Sequence, residues 1–231
     1  MSATDHPAGT PIGAEPISTD EMVLMHVALR REFRLAPGLV RRAHRAGRRA
    51  TARTAHHVSW LLSVLHEHHT VEDRLLWPLL LERCPAELAP IVHLMEDQHE
   101  EIGVLVDRAS ALLPAWRARR TPVTDAELAS VLDDLVDVLD VHLRAEEEKL
   151  LPLAARWMTQ EEWDLLGAEG MRAVPALQLP RLLGMFRYEG DDDVIRQMLH
   201  PAPALIRAVM PSLGSIAYAL YALRVHGTAR P

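Results

Sequence analysis

From Asp20 the chain places Met22, Met25, Leu29 and Phe33 three or four positions apart, the spacing of one face of an α-helix. Asp20 stands where it can cap that helix, and Pro37-Gly38 is expected to stop it near residue 35. Residues 39–50 are arginine-rich and interrupted by Gly47. Thr51 then offers a cap for a second helix, over 51–76, which Trp77-Pro78 is expected to end. A third helix is predicted over 87–111, with Pro90 near its start and Pro114 beyond its end. Thr124 followed by Glu127 has capping-box spacing and opens a fourth, with Leu128, Leu132, Leu135, Val136 and Leu139 on one side. It runs to about Leu151, before Pro152. Four such helices with shortish connections predict an all-α fold, an up-down-up-down four-helix bundle.

The pattern changes on both sides of this block. Residues 1–17 read as a loose Pro/Gly/Ala arm. Past Gln160, Pro175, Pro180, Pro201, Pro203 and Pro211 cut the chain into short pieces, and Asp191-Asp192-Asp193 suits a helix N-terminus leading to Leu199. The expected organisation is therefore an arm over 1–17, the bundle over 18–157 and a helical extension over 158–231. The extension has apolar faces to bury, among them Leu182, Phe186 and Tyr218, against the bundle, a protein partner or a second copy of the chain.

Composition narrows the classes. Aromatics are only 4% of the 231 residues, which suits helices better than sheets. A net charge of −7 argues against a nucleic-acid partner. Nine arginines between Arg30 and Arg53 read first as a solvated helix end and loop, with an acidic partner or a nucleic-acid backbone as the other reading. The single cysteine, Cys84, excludes an intrachain disulfide framework and any cysteine-cluster metal site. The N-terminal residues lack a signal-peptide pattern. The apolar stretch from Ala204 to Val225 is interrupted by Arg207, Pro211, Gly214 and Arg224. Its uncharged core falls short of the ~20 residues a membrane span needs, so no membrane partner and a cytoplasmic location are expected.

The 13 histidines carry the chemistry. With an offset of 74, His68-x3-Glu72-x3-Leu76-x-Pro78 aligns with His142-x3-Glu146-x3-Leu150-x-Pro152. With an offset of 73, Met22-x3-His26-x2-Leu29 aligns with Met95-x3-His99-x2-Ile102. The chain thus looks like two helical hairpins, each giving one lone histidine and one His-x3-Glu pair. Four residues advance about 400° around a helix, so each pair points one way, one turn apart. Both pairs share their faces with apolar residues and are predicted to point inward. Four imidazoles and two carboxylates in a core are costly unless partnered. Metal ions supply that partner: nitrogen and carboxylate donors suit iron, manganese or zinc.

This order of residues resembles the hemerythrin family in its bacterial hemerythrin-like form, the HHE cation-binding domain, whose motif is H–HxxxE–H–HxxxE. Here the motif reads His26, His68-Glu72, His99 and His142-Glu146. The resemblance implies a non-haem di-iron centre in the bundle, two iron ions (Fe2+/Fe3+) joined by an oxo or hydroxo bridge. Carried over residue by residue, His26 and His68 would bind one iron, His99 and His142 the other, and Glu72 and Glu146 would bridge them. It further implies a small oxidant as partner: O2, H2O2 or NO. Consumption of peroxide or nitric oxide would make the protein an oxidoreductase. A sensor relaying through the extension and a metal-storage or structural bundle are the alternatives.

Several residues compete for roles. Oxygen-carrying members have a second histidine one turn before the helix-three ligand; here that position is Met95, which would leave one iron a ligand fewer. Met22 and Met95 read by default as core packing. His69-x3-Asp73 is a rival pair outside the repeat, and Glu147 is an alternative to Glu146 as bridging carboxylate. His66-Glu67-His68-His69-Thr70 fails as a metalloprotease motif because Thr70 replaces the second ligand. Glu96-x2-His99 matches only half of a ferritin-like pattern.

Overall fold

A computed structural model describes residues 16–200 and 202–231. Most of the arm expected over 1–17 lies outside the described residues, whereas the amide of Ile17 donates to the carbonyl of Ala155 at 3.0 Å. Helix α1 spans Asp20–Val71 and bends at Gly47 (φ 80°, ψ 175°). Forty-two residues of straight helix would separate His26 from His68 by about 63 Å. Their rings lie 5.3 Å apart, so Gly47 turns the chain back on itself and the two arms of α1 are the first two helices of the bundle. A positive φ at that turn is what glycine tolerates best. The third and fourth helices are α3 (Ala89–Ala118) and α4 (Pro122–Ala145), and α4 packs on both α1 and α3. The described residues are helices and turns, the all-α bundle expected from the pattern.

Helix ends depart from the sequence reading in five places. Pro37 does not stop the first helix; Leu29, Phe33, Ala36, Val40 and Ala43 keep one buried stripe running past it, and that burial outweighs the lost hydrogen bond. Pro114 likewise lies inside α3, whose Trp116 is buried. The fourth helix is capped by Thr121 with Thr124, not by Thr124 with Glu127, because Pro122 is best placed at the first helical position. The chain also does not end at Trp77-Pro78 or Leu151-Pro152. At each it makes one π turn, Glu72–Leu76 and Glu146–Leu150, and then continues as α2 (Trp77–Arg83) and α5 (Leu151–Trp157). The amides of Trp77 and Leu151 reach back five residues, to the carbonyls of Glu72 and Glu146. This wider turn carries the helix past a proline whose ring would clash in an α register.

Among the arginines of the Arg30–Arg53 run, Arg31 pairs with Glu32 and with Glu189 of the extension, and three others find acidic partners on the neighbouring bundle helix. Arg30 pairs with Glu147 at 2.7 Å, Arg34 with Asp140 at 2.5 Å, and Arg41 with Asp133. The acids stand seven apart on one face from α4 into its π turn, so the run ties α1 to its neighbour.

The extension comprises α6 (Gln160–Ala173), α7 (Leu179–Glu189), α8 (Asp192–Met198) and α9 (Ala204–Val225). Asp191 caps α8, its carboxylate accepting the Asp193 amide at 2.8 Å. All four helices touch α1, and α7 and α9 pack closely on each other. At their crossing a Cβ on Gly184 would lie 2.0 Å from the carbonyl oxygen of Gly214, so the approach requires glycine. Tyr218 and Ala222 of α9 are buried, while Leu205, Leu213, Ile216 and Leu220 are exposed. By length and composition alone, α9 is long and apolar enough to cross a membrane.

Candidate metal centre

The bundle core is divided in two by a polar layer. Leu29, Leu65, Ile102 and Leu139 belong to the larger apolar cluster, and Leu76, Met95 and Leu150 belong to the smaller one. Between them on their respective helices stand His26, His68 with Glu72, His99, and His142 with Glu146. The structure brings all six together, and all six are buried. Both π turns begin at the glutamates.

The donor atoms form two adjoining groups. His26, His68, Glu72 and Glu146 present ligand atoms within 4.8 Å of one another, and His69, His99 and His142 do the same. The carboxylates join the groups. Glu72 lies 3.4 Å from His68 Nε2 through Oε1 and 3.7 Å from His99 Nε2 through Oε2. Glu146 Oε2 lies 3.4 Å from His26 Nε2 and 3.6 Å from His142 Nε2. None of the four carboxylate oxygens has a hydrogen-bond partner, nor do the Nε2 atoms of His26, His68 and His69. His99 Nε2 and His142 Nε2 face each other at 3.2 Å.

Burial dominates the electrostatics. It pushes the Glu72 carboxyl well above its ordinary range, helped by the nearby Glu146, and raises Glu146 as well. It drives His68 and His69 well below the usual imidazole range, reinforced by the neighbouring rings, and His142 down to about 2. Neutral imidazoles with free lone pairs are what a metal ion needs, and a cation between the carboxylates removes the reason for their elevation. The donor set therefore fits metal.

The opposite ring nitrogens are held from outside. Asp73 Oδ1 lies 2.7 Å from His99 Nδ1 and accepts the Trp77 indole N–H at 2.8 Å. Glu147 Oε1 lies 2.9 Å from His26 Nδ1 and is fixed by Arg30. Partial burial pulls Glu147 upward, but His26 and Arg30 hold it below the usual carboxylate range. Gln98 Oε1 lies 3.3 Å from His142 Nδ1. Such partners fix which nitrogen faces inward. Glu147 and Asp73 are thus orienting groups here, outside the two donor groups.

His69 is a candidate donor that the repeat did not reveal. Its ring stacks on His99 at 4.0 Å and meets His142 edge-on at 5.1 Å. With the 74-residue offset its counterpart is Leu143, so no periodicity marks it. The only signal was the rival pair with Asp73, and the structure separates that pair: His69 faces the cluster and Asp73 orients His99. Met95 packs with Leu76, Trp77 and Leu150 in the apolar cluster.

A cavity of about 450 Å3 between the second arm of α1 and α3 reaches His69 and His99. His66, Thr70, Glu96, Glu100 and Gly103 also line it, and a side chain at Gly103 would meet open space.

The family model for the hemerythrin HHE cation-binding domain matches residues 18–154, more than half of the chain. No curated protein and no solved structure matches it.

Proposed function

The chain belongs to the hemerythrin HHE cation-binding family, and from that premise we propose that it is a non-haem di-iron protein that binds or redox-processes a small oxidant, O2, H2O2 or NO. His26 and His68 would hold one iron, His69, His99 and His142 would hold the other, and Glu72 and Glu146 would serve both. One observation carries the reading: two buried carboxylates, with all four oxygens unpartnered, each span the two histidine groups. A bound iron pair supplies Lewis acidity and electron storage.

The rest of the work falls to the chain. Asp73, Glu147 and Gln98 keep the ligating nitrogens turned inward. The apolar clusters above and below the polar layer exclude bulk water. The cavity beside Gly103 gives a small molecule a route to His69 and His99.

The sensor reading has its own support. His26 and Glu32 lie on one arm of α1, and Glu32 contacts the extension through Tyr218. Stopped-flow reaction of the reduced iron-loaded protein with O2, H2O2 and NO tests the proposal. Multiple turnovers of peroxide or nitric oxide support processing. Stoichiometric, reversible binding supports carriage or sensing. No reaction with any of the three removes oxidant handling from the account.

A further inference from the structure

A second buried group of donors lies away from the bundle centre, where the extension meets α1. Glu32 is six residues beyond His26, about 9 Å along the first arm, and His57 is eleven before His68, about 16 Å along the second. His226 caps the end of α9. The side chains of Glu32 and His57 are wholly buried and that of His226 is 3% exposed.

Each of the first two has one polar atom occupied and one left over. Glu32 Oε1 accepts the Tyr218 hydroxyl at 2.5 Å and Arg31 at 3.0 Å. His57 Nδ1 is engaged with the Tyr221 hydroxyl at 2.8 Å. The atoms left over are Glu32 Oε2, His57 Nε2 and His226 Nε2. They converge within 4.8 Å, and none makes a hydrogen bond. Glu32 Oε2 lies 3.4 Å from His57 Nε2 and 3.2 Å from His226 Nε2. Ligands at about 2.0–2.1 Å from a tetrahedral zinc ion stand about 3.3–3.4 Å apart. The two carboxylate–imidazole separations are close to that spacing.

We propose that Glu32, His57 and His226 form a separate mononuclear site for a divalent transition-metal ion of the zinc class, fastening the C-terminal helix to the bundle. Two imidazoles and one carboxylate are a common ligand set for such ions and leave a fourth position for water or an anion. Tyr221 and Tyr218 act from outside, one fixing the His57 ring and the other one oxygen of Glu32. Arg181, stacked over Trp60 at 3.7 Å and Tyr221 at 4.5 Å, adds positive charge nearby, which favours an anionic fourth ligand. The ligands come from both arms of α1 and from the far end of the extension, so the ion would cross-link segments that are distant in sequence.

The test uses the full chain with its bundle iron loaded and counted, then titrated with Co2+, whose visible bands report coordination, and with Zn2+. The expected result is one further equivalent of metal, with low-symmetry Co2+ absorption and a raised Tm in Zn2+. His226→Ala, at the C-terminal end of the last helix, and Glu32→Gln should each lose that equivalent and the Zn2+ effect while keeping the bundle iron. Zn2+ should also slow proteolytic release of α9 in the wild type and not in His226→Ala. The equivalent is read as wild type minus variant, so its failure is distinguishable from failure of the di-iron reading. Equal Co2+ uptake and spectra in wild type and both variants would overturn the proposal. So would uptake that stops at the bundle ligands.

Discussion

The polar layer of the bundle and the Glu32 cluster both bury carboxylates and imidazoles, yet they are built differently. In the layer, Glu72 and Glu146 have no donor on any oxygen and are pushed toward their neutral forms by burial and, for Glu72, by the other carboxylate. At Glu32, burial pulls the same way, but the imidazoles of His226 and His57 and the Tyr218 hydroxyl hold the carboxyl at about 2. The layer therefore leaves its carboxylates without compensation from the protein, and a cation would supply it. The Glu32 cluster is partly compensated by the protein, and an ion there would add a fastening to a fold that already closes. The difference predicts that the bundle tolerates ligand loss poorly and the extension tolerates it well.

The largest effect should come from the layer. His142→Ala removes a donor and leaves Glu146 less compensated, at a cost of about 3–5 kcal/mol. For a chain of this size that lowers Tm by roughly 10 °C, readable by calorimetry alongside loss of metal. His226→Ala should shift Tm far less without added zinc, and equal shifts would erase the distinction. Next in size, Gly184→Ala drives a Cβ into the Gly214 carbonyl and should cost about 1–3 kcal/mol. Limited proteolysis should then release α9 while the bundle keeps its metal.

The orienting groups come third. Asp73→Asn and Glu147→Gln should each weaken metal retention about 10–100-fold in chelator competition, since each loosens the ring it holds. The smallest expected change is Arg41→Ala, whose half-exposed pair with Asp133 is worth about 0.2–1 kcal/mol in a denaturant titration.

Much of the layer was legible in the sequence because it is written twice. His68-Glu72 and His142-Glu146 repeat with their Leu-x-Pro sequel, and His26 and His99 repeat with their preceding methionines. His69 escaped because the repeat breaks there, at Leu143. Its role depends on the rotation of the helix against α3, which spacing does not specify. The helix ends were read too early for a related reason. A proline is a local signal, whereas the stripe through Ala36 and Val40 and the two π turns are tertiary accommodations of it. The Glu32 cluster left no trace in the pattern, since its members come from three separate segments with no shared periodicity.

The central claim is that Glu72 and Glu146 hold two irons side by side. Iron content and electron paramagnetic resonance, measured on one oxidised sample of the full chain, test it most directly. The account predicts two irons per chain in addition to whatever occupies the Glu32 cluster. It also predicts a diferric state that is silent because bridging couples the two spins. One iron per chain in the bundle, or two giving the signal of isolated high-spin ferric ions, would contradict it.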